Sequence, residues 1–247
     1  MTAVLAAPER RHAHAAQLLR AAHEPHVDGL VVDYENLEGD AASLSQLIGE
    51  LAAALHAEGR GLGVAVPEPC GPPPSCDRHP YPYDLAELAR RADVLVLMEY
   101  DYDVVANAPV APRDWVAAGL REAHKRVDPR DAAKLYVGMA LYGRVSEGMF
   151  GDTALLFSEI GAASVRDTPA VIRERHFDAS ALSMTARVEK GTAKGQLYYE
   201  TGDTLRARLD HALSEGYGNV ALWRLGGEDP SIWAPLSTWR RAPTRHP

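Results

Sequence analysis

No apolar run in this chain approaches the roughly 20 residues that a membrane-spanning helix requires. Cysteine is scarce: two in 247 residues, Cys70 and Cys76, close together in a proline-rich loop over 67–83. That pair, even with His79 beside it, is too small a ligand set for a metal ion, so no metal is expected. A small disulfide pinning the loop and two free thiols both fit the spacing. The ten histidines are scattered, without an HExxH or other paired ligand spacing. Positive charge is in deficit as well. With 26 Lys and Arg against 34 Asp and Glu, the net charge is −8, which argues against a nucleic-acid partner. Nor is a signal peptide expected: Met1 to Ala7 is apolar but short, and Arg10, Arg11 and His12 follow at once. No cofactor motif is found, and the sequence leaves compartment and oligomeric state open.

What remains is the composition of an ordinary globular chain, 46% hydrophobic and 24% charged. Helical spacing of Ala15, Leu18, Leu19 and Ala22 predicts a helix over Pro8–Glu24, closed by Pro25. Val27–Tyr34 is a short β-branched run, better suited to a buried strand. Leu44, Leu47, Ile48, Leu51 and Leu55 make one apolar face of a helix over Ser43–Gly59. The alternation continues with a strand at Leu62–Val66, a helix at Leu85–Arg91 and a strand at Val94–Met98. A helix at Asp114–Val127, a strand at Leu135–Leu141, a helix at Leu205–Glu215 and a strand at Val220–Trp223 complete it. Strands alternating with helices imply a parallel sheet with helical crossovers. The stretch 144–200 breaks this rhythm and is predicted as an insertion. It would hold a short helix around Ala154–Ile160 and antiparallel strands at His176–Val188 and Gln196–Glu200, with a turn at Glu189–Gly195.

Polar residues gather at the C-terminal ends of the predicted parallel strands, the end at which ligands bind in such architectures. Asp33 and Glu35 end the first strand; Glu99, Tyr100, Asp101, Tyr102 and Asp103 follow the third; Tyr142 follows the fourth; Trp223 ends the last. Asp33 and Glu35 stand two apart, so a strand would point both to one side. Carboxylates that close do not ionise independently, and one tends to keep a proton, as a general acid must.

Several of these segments resemble one family. Asp28-Gly-Leu-Val-Val-Asp33-Tyr-Glu35 is similar to the DGxDxDxE signature of glycoside hydrolase family 18. Met98-Glu-Tyr100-Asp101 resembles its M-x-Y-D, and Gly138-Met-Ala-Leu-Tyr142-Gly143-Arg144 its next strand end. Ala221-Leu-Trp223-Arg-Leu-Gly226-Gly-Glu228-Asp229 resembles the closing strand of the spore-germination and chitobiase-like branch. The resemblance implies an α/β fold of (β/α)8 barrel type, N-terminally incomplete, because only about 25 residues precede a signature that lies on the fourth strand of relatives. Residues 1–247 would then be a partial catalytic domain with the 144–200 insertion before the last strand. It also implies a substrate, an N-acetylglucosamine-containing glycan of peptidoglycan or chitin type with β-1,4 linkages. Glu35 would be general acid and base. The substrate's own acetamido oxygen, supported by Asp33 and hydrogen-bonded by Tyr100, would attack the sugar. Met98, Asp101 and Tyr142 would line the subsite and Trp223 would form its floor.

One departure stands inside the signature: Val31 occupies the place of its middle aspartate. A glycan-binding protein of the same fold, with turnover spoiled by Val31 or the missing strands, and a truncated product without independent activity are the alternatives. Simpler roles compete at single residues. Asp33 and Glu35 alone would pass for a capping pair after a strand, and Trp223 alone for core. Trp233 and Trp239 are expected to pack the terminal segment, Glu228 and Asp229 to cap a helical turn, Asp28 to bond nearby backbone, and Glu99 and Asp103 to stand on a solvated rim.

Overall fold

A computed structural model describes residues 1–39, 41–70, 81–103, 108–146, 153–165 and 168–239. The chain begins with a short helix α1 (Thr2–Leu5) and a longer α2 (Pro8–Ala22). Pro8 occupies the first turn of α2, where its missing N–H costs nothing, and Glu9 there and Arg20 in the last turn complement the helix dipole. β1 (Gly29–Asp33), α3 (Ala41–Ala57), β2 (Gly61–Pro67), α4 (Leu85–Arg91), β3 (Val94–Met98), α5 (Arg113–Arg126) and β4 (Leu135–Ala140) follow in alternation. Then come β5 (Gly143–Ser146), β6 (Thr153–Leu155), α6 (Phe157–Gly161), β7 (Ser164–Val165), β8 (Thr168–Pro169), β9 (Val171–Asp178), β10 (Ser183–Lys190) and β11 (Ala193–Tyr199). α7 (Gly202–Ser214), β12 (Val220–Trp223) and α8 (Trp233–Thr238) close the chain.

The described residues form two compact units, one of 1–70, 81–98 and 121–136, the other of 99–103, 108–120 and 137–239. In the first unit β1 pairs in parallel with β2, and β2 with β3. The period of two puts Val32, Val64, Val66, Leu95 and Leu97 on one face, all buried. α3 supplies its cover through Leu44, Leu47, Ile48, Leu51 and Leu55, each at most 2% exposed. The opposite face carries Val31 and Asp33, and Val31 is 68% exposed. Ties between elements are polar: Arg11 of α2 donates to Glu50 of α3 at 2.9 Å and to the Leu5 carbonyl at 3.0 Å. Asp93 accepts from the Leu62 amide at 2.8 Å, joining the starts of β2 and β3. Cys70 is buried and disulfide-bonded. Cys76, the only other cysteine of the sequence, and most of the proline-rich loop lie outside the described residues.

In the second unit β4 and β12 pair in parallel, Ala140 opposite Trp223. An antiparallel sheet in the order β6-β5-β11-β10-β9 makes up the insertion, with β7 and β8 as a small ladder beside it. Its core is Val145, Leu155, Ile160, Ala186, Val188, Ala193, Leu197 and Tyr199. Gly143 starts β5 because nothing larger fits there: a Cβ would stand 2.7 Å from the Tyr198 carbonyl oxygen.

The insertion departs from the sequence expectation in two places. Residues 153–155 pair with β5 instead of starting a helix, and α6 begins at Phe157, where the Glu159 carboxylate accepts from the Leu156 amide at 2.7 Å. The expected strand His176–Val188 is a hairpin. The Asp178 carboxylate accepts from the Ser180 amide at 2.8 Å and the Ala181 amide at 3.2 Å, which turns the chain between β9 and β10. Near the C-terminus, Trp233 is 50% exposed rather than packed, because Ile232 and Pro235 take the buried positions of that turn. Asp229 does cap it, accepting from the Ser231 amide at 3.0 Å.

A buried ion pair holds the second unit together. The Arg208 guanidinium of α7 donates to Glu200 at 2.8 and 3.0 Å, to the Ala111 carbonyl at 2.9 Å, to the Ala181 carbonyl at 3.0 Å and to Ser183 Oγ at 3.1 Å. Both side chains are almost sealed from water, at 7% and 2% exposure. Removing one partner strands the other charge, so Arg208→Met should cost about 3–5 kcal/mol, read as a lowered denaturant midpoint. The pair Arg208→Met with Glu200→Leu should recover most of that loss.

Candidate active site

β1 ends at Asp33, so Glu35 extends from the segment just beyond the strand and not, as expected, from the strand itself. The alternation nevertheless persists: Asp33 and Glu35 are exposed and Tyr34 between them is half-buried. Tyr34 is what holds this segment. Its hydroxyl lies 2.5 Å from His14 Nε2 of α2, and its carbonyl accepts from the Tyr83 hydroxyl at 2.7 Å. Asn36, at φ 52°, then turns the chain away. Surrounding protein lifts the Asp33 carboxyl above its ordinary 3.8, and the cause is desolvation. Met98, at the end of β3, is buried and stands on the Asp33 face, one pleat beyond Val96.

The second unit gathers another cluster. Asp101 sits at φ 60°, a left-handed conformation that Asp tolerates better than most residues. Its Oδ1 accepts from the Tyr142 hydroxyl at 2.5 Å and from Arg144 Nε and Nη2, each at 2.8 Å. The Arg144 guanidinium lies 5.6 Å from the Tyr142 ring centroid, and Tyr100 meets the same ring edge-on at 6.5 Å. Burial first, and then the Asp101 charge, push the Tyr142 phenol far up, so it remains a donor. Trp223 ends β12 with 52% of its surface exposed, in register with Ala140 two residues before Tyr142. The Trp223 carbonyl accepts from the Leu141 amide at 2.7 Å, and the Trp223–Arg224 peptide is cis.

Thus Asp33 and Met98 share one face of the first unit, with the exposed Glu35 two residues beyond Asp33, and Tyr100, Asp101 and Tyr142 meet in the second. Two groups escape the sequence reading. Arg144 enters it only within a motif; its place two residues after Tyr142 is the available signal. His14 and Tyr83, which grip Tyr34, give none. Glu99 corrects an expectation: instead of standing on a rim, it is 2% exposed. Its carboxylate oxygens lie 2.7 Å from where a Cβ of residue 119 would be, and Gly119 leaves that room. Among the described residues no group of three or more His, Cys, Asp or Glu side chains would hold a metal ion, and no helix is long and apolar enough to cross a membrane.

Comparison with known proteins decides the family. The model for glycosyl hydrolases family 18 matches residues 2–228. The chain belongs to that family. A Bacillus subtilis (strain 168) relative described as the uncharacterized glycosylase YvbX is 25% identical over 228 residues, which are 89% of this chain and 63% of the relative. The chain thus spans less than two thirds of that relative's length. Among solved structures, a chitinase from Chromobacterium violaceum is 29% identical with a TM-score of 0.77, over 93% of this chain and 71% of that one. The spore cortex-lytic enzyme SleL of Bacillus megaterium is 18% identical with a TM-score of 0.78, over 99% of this chain and 56% of that one. The fold is accordingly of family 18 barrel type, with parallel strand–helix units interrupted by the antiparallel insertion, and its neighbours include the spore-cortex branch.

The raised Asp33 carboxyl makes a testable statement about stability. Folding penalises its ionised form, so its contribution is fully present below the unfolded value of 3.8 and is lost as pH rises through the higher folded value. Asp33→Asn should therefore raise the thermal midpoint at neutral pH, with the gain shrinking as the solution is acidified towards 3.8.

Proposed function

We propose that this chain carries the chemistry of a glycosidase acting on β-1,4-linked N-acetylglucosamine glycans, by retaining, substrate-assisted catalysis. The observation that carries the reading is the exposed Asp33 at the C-terminal end of β1, on the face opposite the one that α3 covers, with the exposed Glu35 two residues on, in a chain of family 18. Glu35 protonates the leaving glycosidic oxygen and afterwards takes a proton from water. Asp33 orients the acetamido group and balances the positive charge that grows as its oxygen closes on the anomeric carbon. A carboxylate with a raised pKa is suited to sharing a proton with that amide N–H.

Tyr100 donates to the acetamido oxygen, with Tyr142 behind it. Asp101 anchors them: three donors on one oxygen commit it to the protein, so it acts on sugar through the positions of Tyr142 and Arg144. Met98 provides apolar contact. Trp223 offers an exposed indole face on which a pyranose ring stacks.

Val31 favours a second reading. Its exposed side chain stands on the Asp33 face where the signature has a carboxylate, and a cleft altered in that way would bind glycan with slow or no turnover.

Glu35→Gln should lower release from a fluorogenic chitobioside, or from peptidoglycan, by about 10²–10⁴-fold while leaving glycan binding in place. Equal release by both proteins would remove Glu35 from the mechanism, and binding without hydrolysis by either would favour the second reading. Val31→Asp should raise kcat on the same substrates, since it returns a carboxylate beside Asp33; an unchanged kcat would mean that Val31 is not what limits turnover.

A further inference from the structure

The insertion sheet has two faces of opposite chemistry, and the strand register assigns each residue to one of them. Val145, Leu197, Ala186 and Val188 turn to the apolar core. On the other face one row across β5, β11, β10 and β9 carries Arg144, Tyr198, the buried Thr185 and His176, and the next carries Gln196, Arg187 and Arg173 on β11, β10 and β9. Arg144 belongs to this polar face and also holds Asp101, so the face begins at the candidate site. Three inter-strand steps carry it about 14 Å outward, to β9.

Its far end gathers Arg173, Arg187 and Lys194 against Glu174 and Glu189, a local excess of positive charge in a chain whose net charge is −8. Arg173 and Arg187 are direct cross-strand partners. Like charges placed opposite one another destabilise a sheet, so the fold gains nothing from this arrangement by itself. Glu174 lies 3.1 Å from Arg187, but both side chains are largely exposed, at 60% and 68%, and such a pair exchanges readily for another anion. Two guanidinium forks on one face suit a carboxylate, which each can hold through paired N–H donors.

We propose that this face extends the candidate site outward from Arg144, and that Arg173 and Arg187 take a carboxylate carried by the sugar polymer. The preferred substrate is then an anionic, carboxylate-bearing glycan of peptidoglycan type, not neutral chitin. The inference rests on the glycosidase reading above.

Co-sedimentation tests it, with the wild-type chain and the Arg173→Ala, Arg187→Ala double variant. The insoluble probes are intact peptidoglycan, peptidoglycan with methyl-amidated carboxyls, peptidoglycan stripped of its peptides, and chitin. The variant should bind intact peptidoglycan about tenfold more weakly, with a much smaller loss on chitin. Amidation should weaken the wild type to the same degree and add nothing to the variant. Stripped strands, which keep only sugar-borne carboxyls, separate a lactyl source from a peptide source. Equal losses on chitin and peptidoglycan, undiminished binding to peptidoglycan, or wild-type binding to neither would each overturn the proposal. Glu35→Gln run in parallel reads turnover separately: if it hydrolyses like wild type while the arginine effect persists, the glycosidase reading fails and the anion site stands. Both arginines are exposed, so the variant should fold, and an unchanged thermal midpoint checks it.

Discussion

One carboxylate oxygen, Oδ1 of Asp101, receives the Tyr142 hydroxyl and two Arg144 nitrogens, and the geometry of the second unit depends on that convergence. Three charge-assisted bonds on one atom fix the first residues after β3, the first residues after β4 and the second residue of β5 relative to one another. Without it, Tyr142 would bury a phenol with no acceptor and Asp101 would hold a left-handed backbone for no return. Since Arg144 is in β5, the same contact also sets where the polar face of the insertion starts. Tyr100, packed edge-on against Tyr142, inherits its position from this arrangement.

The buried pair of Glu200 and Arg208 has a comparable role deeper in the same unit. Arg208 reaches the carbonyls of Ala111, just before α5, and Ala181, in the turn between β9 and β10, while Glu200 sits at the end of β11. An apolar pair of similar volume would hold these elements with most of the same stability. What the ion pair adds is direction. A guanidinium satisfied by five acceptor contacts accepts one placement of the insertion hairpin, whereas a greasy contact accepts several.

Much of this could be read from the sequence because parallel strands buried on one side and helices with a single apolar face leave plain periodicities. Leu85–Arg91, Val94–Met98 and Val220–Trp223 come out with the expected bounds. The insertion is harder, since its folding is decided by single side-chain-to-backbone bonds. Asp178 turns the chain where apolar residues continue through Ala181 and Leu182, and Glu159 starts a helix three residues later than the pattern suggests. Glu99 departs from expectation for a related reason. A charged residue after a strand usually faces water, and only the missing side chain of Gly119, twenty residues on, makes an interior place for it. At the candidate site spacing nominates the motif residues, but not the grip of His14 and Tyr83 on Tyr34, because contacts across 20 and 49 residues leave no periodic trace.

Val31 bears on how the Asp33 carboxyl is to be understood. Two carboxylates on neighbouring same-face positions of a strand would raise one another by repulsion, and a shared proton would pass between them. With Val31 in that place the shift of Asp33 comes from desolvation alone, which raises the pKa without supplying a second proton acceptor. On the proposed reading, Asp33 would change partners between the substrate amide and Glu35, which would tie its proton traffic to the acid whose cycle it supports. A chain built this way would keep recognition of the acetamido group, which depends on the charge and position of Asp33, and would give up speed in the step where that charge must be handed on. That separation, binding retained and proton transfer slowed, is the physical difference between the two functional readings, and it lies in one side chain.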